Sequence, residues 1–159
     1  MAYEPAVIEQ WLYETLSNDA TLQGLLAVDN KPNGYQQGIY NTVAPQLDPV
    51  SRKPVQVPYV VFDRAGNAGQ DQDVLCGSRV FTYPTYRITV WDTASGAVSM
   101  AQSAAIMSRI DTLLDNQHVS STSPRFYCRR ESTAQTFGVE SGGRTDFGVT
   151  AVYRFVTQQ

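Results

Sequence analysis

Residues 146–156 read DFGVTAVYRFV, and this stretch decides the class of fold. Apolar or aromatic side chains occupy every second position, which is the period of a β-strand with one buried face. Those positions are Phe147, Val149, Ala151, Tyr153 and Phe155. The stretch therefore predicts a long strand that covers a hydrophobic core.

Four other segments also predict strands. Residues 59–64 (YVVFDR) are rich in β-branched and aromatic residues. Residues 79–92 also predict a strand, but Pro84 interrupts them, which indicates an edge, a bulge or an extended arm. Residues 38–41 predict a short strand, and residues 125–132 predict another strand. The remaining polar, glycine-rich or proline-rich segments predict loops at 29–38, 46–58 and 116–124, a long loop or hairpin tip at 65–78, and a further glycine- and serine-containing excursion at 133–145.

Two segments have helical periodicity. Residues 5–16 place apolar side chains on one face, and residues 17–19 (SND) can cap a short turn that follows. Residues 95–115 repeat apolar or small side chains at spacings of three and four, which favours a core position. The face of this second helix is formed by Met100, Ser103, Met107, Ile110 and Leu114.

The order of these elements is α-β-β-β-α-β-β. This order predicts an α+β fold in which two helices pack on one face of a mainly antiparallel β-sheet, with long extended loops or hairpin arms. The length of 159 residues suits one domain, and the sequence has no internal repeat. We therefore expect a single domain over residues 1–159.

Charge is low and unevenly distributed. Only 17% of the residues are charged and the net charge is −3, which argues against a dedicated nucleic-acid binder. Residues 1–30 contain five acidic and no basic residues, whereas residues 125–154 contain five arginines. The acidic N-terminal segment of one copy could pair with the arginine-rich C-terminal segment of the next in a head-to-tail ring. Alternatively, these charges could simply be solvated at the surface.

The cysteines and the apolar segments exclude several other classes. Cys76 and Cys128 lack the spacing of a structural zinc site. No signal peptide begins the sequence, and no apolar segment is long enough to span a membrane. These features predict a cytoplasmic protein with reduced thiols.

Side chains suited to catalysis are sparse, so the sequence predicts no enzyme, cofactor or metal. The single histidine, His118, lies in a serine-rich segment, so serine and cysteine lack an evident activating base. Asp63, Asp71 and Asp73 could bind a divalent ion in a small carboxylate- or metal-dependent hydrolase, or be solvated loop charge. Arg129 and Arg130 beside aromatic residues leave a nucleic-acid reader as a further alternative.

Five blocks of the sequence together resemble one protein family. In order they are PAVIEQWLYETLSNDATLQGLL, GIYNTVAPQ, PYVVFDRAG, TYRITVWDTASGAVSMAQSAAIMSRIDTLLD and AVYRFVTQ. Their order and spacing over residues 5–157 resemble the tail-terminator, or tail-completion, proteins of long-tailed bacteriophages. Residues 46–58 and 133–145 are longer than is usual in that family.

The resemblance implies a structural virion protein that forms a homo-hexameric ring. Such a ring caps the finished tail tube, stops its polymerisation and forms the tail side of the head–tail junction. The implied partners are other copies, the tail tube protein and a head-completion or connector protein, with DNA only as passing cargo in the lumen and no membrane. The implied location is the virion, after assembly in the host cytoplasm. A head-completion ring of the neck is the alternative.

Contact residues follow from the same resemblance and from residue type. The segments 66–78 and 133–145 are the expected contact arms. Because exposed aromatic and arginine side chains contribute strongly to interfaces, we expect them among the contacts, although the aromatic ones could instead fill the monomer core. These candidate contacts are Phe81, Tyr83, Phe137, Arg129 and Arg130.

Overall fold

A computed structural model describes residues 4–26, 38–44, 55, 57–65, 72–75, 78–93, 97–122, 125–132, 135–141 and 144–158. Within these residues the chain forms three helices and one nine-stranded sheet, so the predicted α+β fold is confirmed. The helices are α1 (Glu4–Ser17), α2 (Ala20–Leu25) and α3 (Ala97–Leu114). The strands are β1 (Ile39–Asn41), β2 (Tyr59–Arg64), β3 (Gln72–Leu75), β4 (Ser78–Thr82), β5 (Thr85–Thr93), β6 (Gln117–Val119), β7 (Arg125–Arg130), β8 (Gln135–Ser141) and β9 (Arg144–Gln158).

The strand β9 lies at the centre of the sheet. Along one edge it pairs with β5 and then with β4, and along the other edge it pairs with β8 and then with β7. Near the gap between β8 and β7, the backbone N–H of Glu131 donates to the carbonyl of Val152 at 2.8 Å. The gap at Pro84 between β4 and β5 is bridged by the N–H of Phe155, at 2.8 Å from the Pro84 carbonyl. The interruption predicted from Pro84 is therefore present.

All strand pairs are antiparallel except the first, in which β1 runs parallel to β2. The short β1 is directly preceded by Gly38, whose φ of 92° is one that residues with a side chain rarely adopt. A Cβ at Gly38 would lie 3.3 Å from Leu26, at the end of the α2 segment. This position therefore favours glycine for both conformation and space.

The hydrophobic core lies between the helices and one face of the sheet. Phe155 of β9 is its aromatic centre, with ring centroids 5.4 Å from Tyr86, 5.6 Å from Phe126 and 6.0 Å from Trp11 of α1. The predicted core face of α3 is buried at Ser103, Met107, Ile110 and Leu114, while the side chain of Met100 lies outside the described part. The alternation predicted for β9 is seen at Val149, Ala151, Tyr153 and Phe155, which are all buried, whereas Phe147, at the start of the predicted run, is only half-buried.

Asp19 joins two of the helices. It is the N-cap of α2, where its Oδ1 accepts from the backbone N–H of Leu22 at 2.7 Å. Both of its carboxylate oxygens also accept from Arg109 of α3, at 3.0 Å and 2.6 Å. The hydrogen bond from Arg109 is the main reason why the pKa of Asp19 is lowered. One acidic residue of the N-terminal segment is therefore paired within the chain.

A second polar cluster ties the end of α3 to the sheet. Asp111 accepts hydrogen bonds from the hydroxyl of Tyr153 and from the guanidinium of Arg130. The backbone N–H of Arg130 also donates to Asp115, at 2.8 Å. Burial, followed by the bond to Asp111, raises the pKa of Tyr153, so this hydroxyl remains a donor.

Three segments in which loops or hairpin arms were predicted contain strands, and two of these strands, β3 and β8, pair with the strand that follows them, as in a hairpin. Residues 117–119 form β6 against β7, residues 135–141 form β8 against β9, and residues 72–75 form β3 against β4. Short or glycine-containing strands have weak sequence signals, because they are specified by the neighbour with which they pair. The predicted cap and turn after α1 form a complete short helix, so the described residues contain three helices where two were predicted.

None of the helices in the described ranges is both long enough and apolar enough to cross a bilayer.

The Asp19–Arg109 pair makes stability depend on pH. The pKa of Asp19 is lower in the folded chain than its value near 4 in an unfolded chain. The contribution of the charged carboxylate to the free energy of unfolding is therefore complete above about pH 4. That contribution is lost as the pH falls through the lower, folded pKa. Asp19→Asn keeps a capping oxygen but removes the charge, so its free energy of unfolding should fall less steeply between pH 4 and 2.

Urea unfolding from pH 7 to pH 2 checks this expectation. Ser108→Ala, a neutral change at an exposed position of α3, is the control and should retain the wild-type profile. Asp19→Ala, which also removes the capping oxygen, should be less stable than Asp19→Asn by about 1 kcal/mol. Parallel profiles for the wild type and Asp19→Asn would contradict the role given to this pair.

Candidate interaction surface

The face of the sheet opposite the helices is the candidate functional surface. Because neighbouring side chains on a strand point to opposite faces, the strands that bury one set of residues in the core present the other set outward. We call this the outer face. It includes Tyr59, Val61 and Asp63 of β2, Arg87, Thr89 and Trp91 of β5, Thr150, Val152, Arg154 and Val156 of β9, and Arg125, Tyr127 and Arg129 of β7.

A broad concavity of about 670 Å³ occupies the part of the outer face on β2, β5 and β9. Its floor combines apolar and polar groups, and the hydroxyls of Thr89 and Thr150 are hydrogen bonded at 2.7 Å across neighbouring strands. Trp91 lies in its lining, and Val43, with 71% of its surface exposed, lies at one side. This mixture of an aromatic residue, β-branched residues and a few polar groups is suited to protein contacts.

An ion pair crosses the same concavity. The guanidinium of Arg87 donates to both carboxylate oxygens of Asp63, at 3.0 Å and 2.6 Å. The hydrogen bond from Arg87 to Asp63 is the main reason why the pKa of Arg87 is raised. Because a bidentate arginine uses the oxygens that a metal ion would need, Asp63 is poorly suited to ligate a cation.

The carboxylates of the alternative metal site are not assembled by the described residues. Asp71 and the side chain of Asp73 lie outside the described part, and Asp63 is bound to Arg87. Among the residues that the structure describes, no three histidine, cysteine, aspartate or glutamate side chains are grouped to hold a metal ion.

A second, smaller depression of about 300 Å³ lies at the other end of the outer face. The rings of His118 and Tyr127 lie against each other with centroids 4.5 Å apart, and Arg125 and Val156 contribute to the lining. The Tyr127 hydroxyl donates to Oδ1 of Asn116 at 2.6 Å, which fixes the ring. His118 is exposed, and its ring lies against the ring of Tyr127.

Two arginines stand next to each other beside this depression. Arg129 of β7 is the register partner of Arg154 of β9, and both are exposed on the outer face. Arg154 bonds Glu131 at 2.6 Å. Like charges directly opposite each other weaken a sheet, and the ion pair with Glu131 offsets part of this repulsion at Arg154.

The candidate contact arginines are therefore separated by the sheet. Arg129 lies on the outer face, whereas its neighbour Arg130 is paired with Asp111 of α3 on the other side. Arg129 remains available as a contact residue, and Arg130 is already engaged within the chain. Only one of these neighbouring side chains contributes to the outer face, as the alternation of a strand predicts.

The aromatic candidates lie near the ends of the sheet. Tyr83 is half-buried between β4 and β5. Phe81 of β4 is opposite Gln158, and Phe137 of β8 is opposite Gly148, which in turn is opposite Trp91. The side chains of Phe81 and Phe137 lie outside the described part, as do Cys76 and residues 66–71. Their role as anchors stays a prediction.

Cys128 belongs to the core and not to a reactive site. It is fully buried between Phe126 and Arg130 on β7, and burial raises the pKa of its thiol. A buried thiol with a raised pKa is a poor nucleophile. The features that sequence reasoning missed are the two depressions, although the polar–apolar alternation of residues 85–92 contained a signal for the outer face.

Comparison with known proteins gives a fold likeness along nearly the whole chain. No family model matches the sequence, and no curated protein matches it significantly. A solved structure of a chain in the virion of a native gene transfer agent particle is 18% identical, with a TM-score of 0.61, over 93% of this chain and 92% of that one. A second solved structure, which carries no functional name, is 12% identical with a TM-score of 0.55, over 95% and 94%. These values show a shared fold.

Replacing Asp63 tests the metal-dependent alternative. Asp63→Asn removes an exposed ion pair, so the free energy of unfolding should fall by less than about 1 kcal/mol. Neither protein should bind Ca²⁺ or Mg²⁺ saturably in calorimetric titrations. Thr150→Val, a nearly isosteric change on the same face, is the control for a general effect of altering this surface. Saturable cation binding that is lost only in Asp63→Asn would contradict our interpretation of the carboxylate.

Proposed function

We propose that this chain is a structural protein of a phage-like virion, and that it acts as the ring that terminates the tail. The observation that carries the proposal is the fold likeness, from one end of the chain to the other, to a chain of a gene transfer agent virion. The resemblance of the ordered sequence blocks to tail terminators supports the narrower role. The likeness covers the helices and the sheet together, so it concerns the whole domain.

The outer face gives this proposal a physical basis. A ring subunit needs at least two surfaces that bind other proteins, one for each neighbour, and further surfaces for the tube and for the head side. Here one face of the sheet is covered by the chain's own helices, and the opposite face presents two depressions and several arginines. A surface of this size and composition suits partner proteins better than a small substrate.

In this proposal, growth of the tail tube stops because the two sides of the terminator ring differ from each other. A tail tube grows because each added ring exposes a surface on which the next ring binds. A terminator ring matches that surface on one side and presents a different surface on the other, so another tube ring finds no complement. The protein therefore works by shape and charge, and its role requires no bond to be made or broken.

Deletion of the gene in the strain that produces the particles tests the proposed function. We expect tails of variable and excessive length with few heads attached, and normal length when the wild-type gene is supplied in trans. Negative-stain microscopy measures both quantities. Tails of normal length that carry heads would contradict the proposal.

The same strain separates the tail side from the head side of the neck. If the chain is a head-completion ring instead, it should co-purify with DNA-filled heads and tail length should be unchanged. For a terminator, it should co-purify with isolated tails. Protein supplied as the Thr112→Ala variant, altered at an exposed position of α3, is a control that should restore tails fully.

A further inference from the structure

We infer that the exposed face of α1 in one copy docks onto the arginine-bearing end of the outer face in the next copy. This inference rests on the proposed ring and names the surfaces that close it. The two surfaces lie on opposite sides of the chain, because α1 covers the core face of the sheet. A head-to-tail contact between unlike surfaces is the type of contact that builds a ring.

The accepting surface is positively charged and has a depression beside it. The exposed residues Arg125, Arg129 and Arg154 lie on β7 and β9, with Glu131 as the acidic residue bonded there. Since Arg129 and Arg154 are opposite each other across the ladder, a carboxylate placed between them would offset their repulsion. The nearby depression of about 300 Å³ is at the lower limit of ligand pockets, which suits one inserted side chain.

The donating surface is acidic and carries an aromatic side chain. Tyr13 and Glu14 are both exposed on α1, and Tyr13 is 37% exposed, which is unusual among the large hydrophobic side chains of the described residues. Residues 1–30 contain no lysine or arginine. An exposed tyrosine beside a carboxylate matches a surface that offers both an aromatic-lined depression and arginines.

Other charged side chains of the same regions already have partners within the chain, and this leaves few carboxylates that could bind a neighbouring copy. Asp19 is bonded to Arg109, Arg130 is bonded to Asp111, and Glu9 accepts from Asn41 at 2.9 Å. Glu14 accepts from Gln10 of its own helix at 2.9 Å and stays exposed to solvent. It is therefore the carboxylate of the described part of α1 that is best placed to reach a neighbour.

The occupant of the arginine-bearing surface is thus a second copy of this chain, with Glu14 between Arg129 and Arg154 and Tyr13 against His118 and Tyr127. Charge complementarity favours α1, because residues 1–30 contain acidic and no basic residues and Glu14 is exposed on this helix. A nucleic acid would also be attracted by the arginines, but it would not account for the exposed Tyr13–Glu14 pair.

Charge reversal tests the contact. Sedimentation across a concentration series should show that Glu14→Arg and Arg129→Glu each weaken self-association at least tenfold, since each places like charges in contact. The double variant should recover most of the wild-type affinity. Ser108→Arg, which adds the same charge at an exposed position of α3, should leave association unchanged.

Photo-crosslinking supplies a readout that does not depend on charge. A benzophenone amino acid in place of Tyr13, in a mixture of isotopically light and heavy protein, should give mixed-isotope adducts on residues 125–129 or 154–156. The same group in place of Thr112 should give none there. Adducts confined to other segments, or a double variant no tighter than either single variant, would overturn the inference.

The outcomes also separate this inference from the function on which it rests. Rings that form equally well in the wild type and in both charge-reversal variants would overturn the contact and leave the terminator function standing. A wild-type chain that does not self-associate, either at millimolar concentration or on isolated tails, would overturn both. Binding of duplex DNA that is lost in Arg129→Glu, without any effect on self-association, would assign the arginines to nucleic acid instead.

Discussion

The hydrogen-bond ladder of β9 is the constraint on which the rest of the structure depends. One strand of 15 residues satisfies its backbone against four other strands, two along each edge. The same strand supplies Tyr153 and Phe155 to the core, where the ring of Phe155 contacts Trp11 of α1, Tyr86 of β5 and Phe126 of β7. Any shift in its register by one residue would exchange the buried and outer sets of side chains.

That alternation also divides the side chains of β9 into a core set and an outer set. The odd-numbered residues 149–157 hold the core and fix the helices, and the even-numbered residues 150–156 form part of the outer face. Two polar contacts hold the helices in place. Arg109 of α3 donates a hydrogen bond to Asp19 at the start of α2, and Tyr153 of β9 donates one to Asp111 of α3. The helices cover the core on one side of the sheet, so the outer face remains uncovered by the described part of the chain, and it is the surface that the proposed function assigns to partner proteins.

Sequence periodicity predicted the parts of the fold that have a strong local signal. The alternation at 146–156 and the apolar face of 95–115 identified β9 and α3, and the β-branched run at 59–64 gave β2 with its observed bounds. The strands β3, β6 and β8 could not be located from the sequence, because a short strand is specified by the strand with which it pairs. The strand β6, for example, is formed by its pairing with β7, in which Gln117 lies opposite Cys128. The outer face could be anticipated from Arg87, Thr89 and Trp91, but the opposition of Arg129 and Arg154 depends on the register between distant strands.

Electron cryo-microscopy of intact particles tests the central claim most directly, because it shows both where the chain lies and what it contacts. Our account predicts a single ring of copies at the head-proximal end of the tail tube, with the outer face of each sheet against α1 of its neighbour. It also predicts no copies along the tube itself. Density for the chain as an isolated subunit, as a repeating element along the tube, or nowhere in the particle would contradict the account.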